Sequence, residues 1–132
     1  MTDAVRRPDW RWVAAVALGG ALGAPARYGI ATFVDITPGT FPWGTFWVNV
    51  SGSFALGALL VRLRRWSPRA PYLRPFLGTG LLGAYTTYST FAVETGLLAK
   101  NGHWGIAVSY TVASIVVGLA AAFGGMALAR TR

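Results

Sequence analysis

The stretch from Gly78 to Glu94 constrains this chain more than any other. It is apolar enough to enter a membrane, yet it contains three glycines and five Thr or Ser residues. Glycines let a backbone approach a neighbour or leave the helix. Irregular backbone at membrane depth survives only where protein or a water-filled path surrounds it. We interpret the stretch as the wall of a polar pathway; the alternative is close packing of small residues between helices.

The composition indicates a membrane protein. The chain has 132 residues, of which 54% are hydrophobic and only 12% charged, whereas roughly a quarter of the residues in soluble domains are charged. Four spans of about 20 residues each would occupy most of the chain. We therefore predict one four-helix transmembrane domain over residues 1–132. The absence of cysteine excludes disulfides and thiolate metal sites.

The pattern predicts an all-α membrane protein with four transmembrane helices and short loops. The first helix continues through Pro25, too far for the apolar region of a cleaved signal peptide. Aromatic residues typical of the membrane interface begin the second, and the third is expected to be broken mid-membrane near Gly83–Thr86. The predicted spans are approximately residues 12–34, 43–63, 76–99 and 105–129.

The positive charge orients the chain rather than indicating nucleic-acid binding. The net charge is +8, but the basic residues cluster in loops and termini beside apolar runs. All 12 lysines and arginines except Arg27 and Lys100 fall before the first span, from the end of the second span to the start of the third, or after the fourth. The positive-inside rule therefore predicts a multi-pass protein of the cell inner (plasma) membrane with both termini in the cytoplasm.

Polar residues within the second and fourth spans suggest where the pathway runs. Asn49 and Ser53 are four residues apart on one helical face, as are Tyr110 and Ser114. An asparagine in hydrocarbon needs a partner, and an interhelical hydrogen bond is the plainer use for it. A polar path lined by these side chains is the alternative.

Two charged residues lie within or beside the predicted spans. Arg27 should sit near the outer end of the first span, because a charge at the bilayer centre costs about 3 kcal/mol on insertion scales. It would be either part of an electropositive vestibule or a snorkelling anchor. Glu94 is the only carboxylate within a predicted span, so it is the only candidate for proton coupling.

The sequence lacks the groups of the common catalytic sites. It has one histidine, His103 in a predicted turn, no cysteine and no paired carboxylates, so hydrolytic and metal chemistry are not expected and the chain is not predicted to be an enzyme. What remains is a route lined by hydroxyls and an amide, with a cation near one end. Such groups donate hydrogen bonds to an anion, whereas cation pathways use carboxylates or carbonyl rings.

Three segments, in this order on a four-span chain, resemble the Fluc fluoride channels, also called CrcB proteins. The matching segments run from Gly20 to Tyr28, from Gly44 to Phe54 and from Gly83 to Phe91, the last with Glu94 beyond it. The resemblance implies an antiparallel, dual-topology dimer of four-helix subunits, with two fluoride pathways and a structural sodium ion (Na+). It also implies that Gly83 and Thr86 offer backbone carbonyls to that ion.

The resemblance assigns the remaining site residues. Tyr88 occupies a position where the family's motif usually has phenylalanine, so its hydroxyl adds a donor and bulk to an aromatic pair. Arg27 matches the vestibule arginine of the family. The residues expected along the fluoride path are Asn49, Tyr88, Phe91, Thr90, Ser114 and Arg27.

The resemblance predicts a fluoride-selective passive channel that exports cytoplasmic fluoride and lowers its toxicity. The charge bias differs from the family's dual-topology homodimers, so the partner in the bilayer is expected to be either a second copy or a homologous chain of opposite orientation. One alternative is a small proton-coupled multidrug exporter, but this requires a carboxylate deep in the first span, and none occurs between Arg11 and Val34. The other is a noncatalytic membrane assembly subunit.

Overall fold

The computed structural model describes residues 9–34, 37–66 and 70–131. Every regular element within these ranges is helical, which confirms the all-α class expected from the sequence. Some of the basic residues that determine the predicted membrane orientation lie outside the described residues, namely Arg6, Arg7, Arg69 and Arg132.

The helices follow one another through short connections. Helix α1 begins after Asp9, whose Oδ1 accepts a hydrogen bond of 3.0 Å from the Arg11 N–H and so caps the first turn. The third predicted span is divided into a π-helical segment, a short helix α3 and a longer helix α4. The elements are α1 (Trp10–Phe33), α2 (Trp43–Trp66), the π segment (Pro75–Leu82), α3 (Gly83–Tyr85), α4 (Tyr88–Lys100) and α5 (Trp104–Arg130).

Three helices are long and apolar enough to cross a membrane. They comprise Trp10–Phe33, Trp43–Arg64 and Trp104–Arg130. Large apolar side chains cover the outside of the bundle; Phe33, for example, is 92% exposed. An exterior of this kind is stable against lipid or protein rather than water. The chain is therefore a membrane protein with its apolar surface turned outward.

Helices α2 and α5 pack closely because glycines face each other's backbone. A Cβ atom on Gly125 would collide with the Phe54 carbonyl, and one on Gly57 would collide with the Ala122 carbonyl. Small residues at such crossings let two helices approach to backbone contact, which is how membrane helices gain packing energy without a hydrophobic driving force. This pair forms the most extensive interface of the bundle.

The π segment packs against α1 in the same way. Gly80 contacts the Val16 carbonyl so closely that a Cβ would not fit, and Gly19 lies equally close to the Phe76 carbonyl. Gly78, by contrast, has open space where its Cβ would be, and at Gly83 the nearest atom is the Gly78 carbonyl oxygen at 3.7 Å. Of the three glycines in the stretch, only Gly80 therefore serves helix packing.

A small aromatic core closes the end of the bundle where α4 turns into α5. Tyr110 is fully buried there, with the Phe41 and Phe91 rings at centroid distances of 5.2 and 5.0 Å. Phe46 and Leu98 complete the cluster. This core holds α2, α4 and α5 in register, so it fixes where the polar residues of those helices meet.

Candidate functional site

Helical conformation stops after Tyr85 and resumes at Tyr88. The two residues between them are extended, Thr86 with φ −77° and ψ 154° and Thr87 with φ −143° and ψ 122°. The N–H and the hydroxyl of Thr86 both donate to the Leu82 carbonyl, at 3.0 and 2.9 Å. The preceding turn thus keeps its hydrogen bond while the chain leaves the helix.

Asn49 on α2 pairs with the backbone of Thr87. Its Nδ2 donates to the Thr87 carbonyl at 3.0 Å, and its Oδ1 accepts from the Thr87 N–H at 2.9 Å. The carboxamide thereby supplies both partners that an extended residue would otherwise lack. The interhelical hydrogen bond considered for this asparagine is therefore present, and the same side chain also lines a cavity.

Thr87 also begins α4. Its Oγ1 accepts from the Thr90 N–H at 3.2 Å and its hydroxyl donates to Thr90 Oγ1 at 3.0 Å. Threonine is a favoured residue at this helix-capping position because its side chain satisfies an N–H that has no helical partner. The helix therefore restarts immediately after the interruption.

Two backbone carbonyls lose their usual helical donors at this point. In a continuous helix the Gly83 carbonyl would accept from the Thr87 N–H, and the Thr86 carbonyl from the Thr90 N–H. The first N–H donates to Asn49 instead, and the second to the Thr87 hydroxyl. Both carbonyl oxygens are thus freed to accept from, or coordinate, another group.

A cavity of about 630 Å³ lies beside the interruption. It brings together Asn49 from α2, Phe91 from α4 and Ser114 from α5, with Tyr88 at its edge. Tyr88 is 81% exposed, and its ring centroid lies 6.1 Å from that of Phe91. Gly83 and Thr86 also line the cavity, so six of the eight residues expected from the sequence meet here.

The hydroxyl of Ser114 makes no hydrogen bond to any residue that the structure describes. Its oxygen is buried on the cavity wall, and it is the one buried side-chain polar atom among the described residues that makes no hydrogen bond. An unpaired buried polar group costs about 1–3 kcal/mol. A polar group that comes within hydrogen-bond distance of this oxygen offsets the cost.

Two expected site residues lie elsewhere. Thr90 is exposed and lines a second cavity of about 270 Å³ together with Glu94. Arg27 is half-buried on α1 and lines neither of these two cavities. Position along the chain alone could not separate these two residues from the group around Asn49.

Glu94 forms a network that reasoning from the sequence missed. Its Oε1 accepts from the Thr45 hydroxyl at 2.8 Å, and its Oε2 accepts from the Tyr110 hydroxyl at 2.8 Å. Thr45 and Tyr110 are buried, so the carboxylate is held between α2 and α5. The available signal was that a carboxylate within a span needs donors, and hydroxyls on neighbouring spans are the natural ones.

Comparison with known proteins identifies the family. The chain matches the family described as CrcB-like protein, Camphor Resistance (CrcB), over residues 14–126. It is 49% identical over 113 residues to "Fluoride-specific ion channel FluC 1" of Mycobacterium bovis, with 86% of each chain covered. It is 44% identical over 123 residues to "Fluoride-specific ion channel FluC" of Rhodospirillum centenum, covering 92% of this chain and 97% of the relative.

A third relative also matches most of the chain. The chain is 44% identical over 121 residues to "Fluoride-specific ion channel FluC" of Saccharophagus degradans, covering 92% of this chain and 91% of the relative. The residues matched by the family model include most of every helix and the whole interruption between α3 and α4. The chain therefore belongs to the CrcB family.

Proposed function

We propose that this chain is a fluoride-selective passive channel that exports cytoplasmic fluoride and lowers its toxicity. Relatives that cover most of its length are named fluoride-specific ion channels. The observation that carries the proposal is the unpaired Ser114 hydroxyl, which lines the same cavity as Asn49 and Phe91. A passive channel conducts an ion without chemical change, so no enzyme activity is assigned.

The donors around the cavity suit a small anion. The amide of Asn49 has two N–H groups, and the hydrogen bond to Thr87 uses one of them. The other N–H and the Ser114 hydroxyl can replace water around fluoride. The edges of the Phe91 and Tyr88 rings carry partial positive charge. No Asp or Glu is among the described residues that line this cavity, so no fixed negative charge repels the ion.

Export follows from acid–base chemistry. In acidic surroundings fluoride is partly protonated and crosses a bilayer as neutral hydrofluoric acid. The acid ionises at the higher pH of the cytoplasm, where the charged ion is trapped. An open anion path lets fluoride leave down its gradient, so selectivity over chloride, rather than energy coupling, is what the site must provide.

A second chain would complete the pathway. Tyr88 is 81% exposed although it belongs to the cavity wall, so one side of the path has no protein cover within a single chain. The antiparallel dimer expected for this family would supply that side. The partner is a second copy or, given the charge bias of the loops, a homologous chain of opposite orientation.

The carbonyls of Gly83 and Thr86 fit a structural sodium ion. Both have lost their usual helical donors, and carbonyl oxygens are suitable ligands for hard cations. Sodium would supply positive charge that neutralises these dipoles where two chains meet. In this proposal the interruption between α3 and α4 lies mid-membrane, both termini face the cytoplasm, and Arg27 contributes to an electropositive vestibule.

Fluoride efflux from liposomes tests the function. The chain alone is reconstituted, efflux is followed with a fluoride electrode, and chloride efflux is the control. Rapid fluoride efflux without chloride efflux is the expected result and would show that the chain pairs with itself. If the chain alone gives no fluoride efflux and a coexpressed homologous chain restores it, a heterodimer is supported. If folded protein gives no fluoride efflux in either experiment, the channel proposal is contradicted and an assembly subunit is favoured.

A further inference from the structure

Three arginines line one cleft at the end of the bundle where α2 and α5 finish. Arg64 comes from α2, Arg74 immediately precedes the π segment, and Arg130 is in the last turn of α5. The cleft has a volume of about 600 Å³ and shares no lining residue with the cavity beside Asn49. Three separate elements thus bring arginines to one cleft, on the side of the predicted topology that carries most of the basic residues.

No described carboxylate is available to neutralise this cluster. Within residues 9–34, 37–66 and 70–131 the acidic residues are Asp9 and Glu94. Asp9 accepts from the Arg11 N–H and from the Tyr72 hydroxyl, and Glu94 accepts from two hydroxyls near the opposite end of α5. Neither lines the cleft. The three arginines are exposed, so their side chains are open to an anion from outside the described protein.

Helix dipoles do not account for the arrangement. Arg64 and Arg130 lie near the C-terminal ends of α2 and α5, where a cation is favoured by the partial negative charge. Arg74, however, immediately precedes the π segment and makes no capping hydrogen bond, at a helix end where a cation is disfavoured. An anion bound between the three arginines would offset this disadvantage.

The rest of the cleft is apolar. Leu60 and Met126 lie one helical turn before Arg64 and Arg130, on the side of the membrane interior, and the buried Leu63 also lines the cleft. A basic rim above an aliphatic wall matches a molecule with an anionic head and hydrocarbon tails. A dissolved anion would use the rim but gain nothing from the wall.

We propose that this cleft binds the phosphate headgroup of an anionic phospholipid, with its acyl chains along Leu60 and Met126. Basic clefts between transmembrane helices commonly bind such headgroups. The bound lipid would tie together the ends of α2, the third span and α5. The cleft shares no residue with the proposed fluoride pathway, so the test of lipid binding does not depend on the channel function.

Native mass spectrometry of the detergent-purified chain tests this site. The protein is titrated with phosphatidylglycerol and, separately, with phosphatidylcholine of the same acyl chains, and the bound lipid is counted. Preferential retention of phosphatidylglycerol is expected. Arg74→Gln should weaken it about fivefold, equivalent to about 1 kcal/mol per basic residue, and the double variant Arg64→Gln/Arg130→Gln should weaken it further.

Arg62→Gln is the matched control. It removes the same charge from α2 two residues away, where the exposed side chain does not line the cleft. Its affinity for phosphatidylglycerol should equal that of the unaltered chain. Equal retention of both lipids, or equal weakening by Arg62→Gln and Arg74→Gln, would overturn the proposal.

Two further measurements distinguish a bound lipid from a dissolved anion and from a folding defect. Competition by millimolar inorganic phosphate should leave phosphatidylglycerol bound, and complete displacement would instead assign the cleft to a dissolved anion. Thermal unfolding in phosphatidylcholine-containing micelles checks that the variants fold. If a variant is unfolded, the titration of the unaltered chain with the two lipids decides the question alone.

Discussion

At the scale of single residues, Asn49 decides how the third span is built. Its carboxamide takes both backbone groups of Thr87, and the Thr87 hydroxyl then caps α4. Without these partners the extended backbone would carry unpaired polar groups at the helix interruption. One side chain thus stabilises the interruption and also lines the cavity.

Asn49→Ala should reduce both folding stability and fluoride flux. Loss of the amide leaves the Thr87 N–H and carbonyl unpaired, at about 1–3 kcal/mol for each buried group. Loss of a hydrogen bond to an anion, about 1.5–3 kcal/mol, should lower the flux roughly tenfold or more. Thermal unfolding and liposome efflux measure the two effects. Thr95→Ala, which removes a hydrogen bond within α4 only, is the control.

Ser114→Ala should separate flux from stability. The hydroxyl has no partner among the described residues, so its removal should leave the unfolding temperature unchanged or slightly raised, while fluoride flux falls. Ser109→Ala on the same helix removes an exposed hydroxyl bonded to the Ile106 carbonyl and should leave flux unchanged. A Ser114→Ala variant with full flux would exclude this hydroxyl from the pathway.

At the scale of the elements, close helix contact determines the position of the cavity. Glycines bring α5 against α2 and the π segment against α1, and the aromatic core around Tyr110 holds α4 against both α2 and α5. The side chains of three elements can then reach one cavity. Gly78 and Gly83 do not take part in this packing, and both line the cavity instead.

Two adjacent glycines of α5 test the importance of the α2–α5 contact. A methyl group on Gly125 would strike the Phe54 carbonyl, whereas one on Gly124 would meet only the Phe54 ring at 3.9 Å. Gly125→Ala should therefore lower the unfolding temperature in detergent. Gly124→Ala should leave it unchanged or raise it, because alanine favours the helix by about 1 kcal/mol over glycine. Equal behaviour of the two variants would contradict this packing.

At the scale of the whole molecule, an apolar exterior and an asymmetric charge distribution govern how the chain sits in a bilayer. Large apolar side chains are exposed along the helices, and the excess of basic residues falls on one side of the predicted topology. The first property requires lipid or a partner chain, and the second favours one orientation. Together they bear on the choice between a homodimer and a pair of homologous chains.

The accessibility of a C-terminal tag should reveal that orientation. With ten of the 12 lysines and arginines on the predicted cytoplasmic side, a tag after Arg132 should be reached mainly from the cytoplasm. Labelling of intact cells and of permeabilised cells measures the two populations. Equal populations on both faces, with no homologous chain present, would contradict an oriented subunit and support a dual-topology homodimer.

Much of the fold and part of the site follow from local properties of the sequence. Apolar length and the scarcity of charge specify helices with a lipid-compatible exterior, because backbone groups in hydrocarbon must be satisfied within each segment. The need of Asn49 for a partner was also evident. These requirements hold for each segment by itself, so they can be predicted without knowing its neighbours.

Which groups meet depended on the tertiary structure. The amide of Asn49 could have bonded to any neighbouring helix, and only the packing of α2 against the third span selects Thr87. The same packing places Thr90 at the cavity that Glu94 lines, and it leaves Ser114 without a hydrogen bond to the described residues. It also brings three arginines to one cleft where α2 and α5 end. The sequence by itself determined the helical class and the membrane, because these depend on local composition. Only the tertiary structure decided the site, because contacts between helices are set by the relative positions of whole elements.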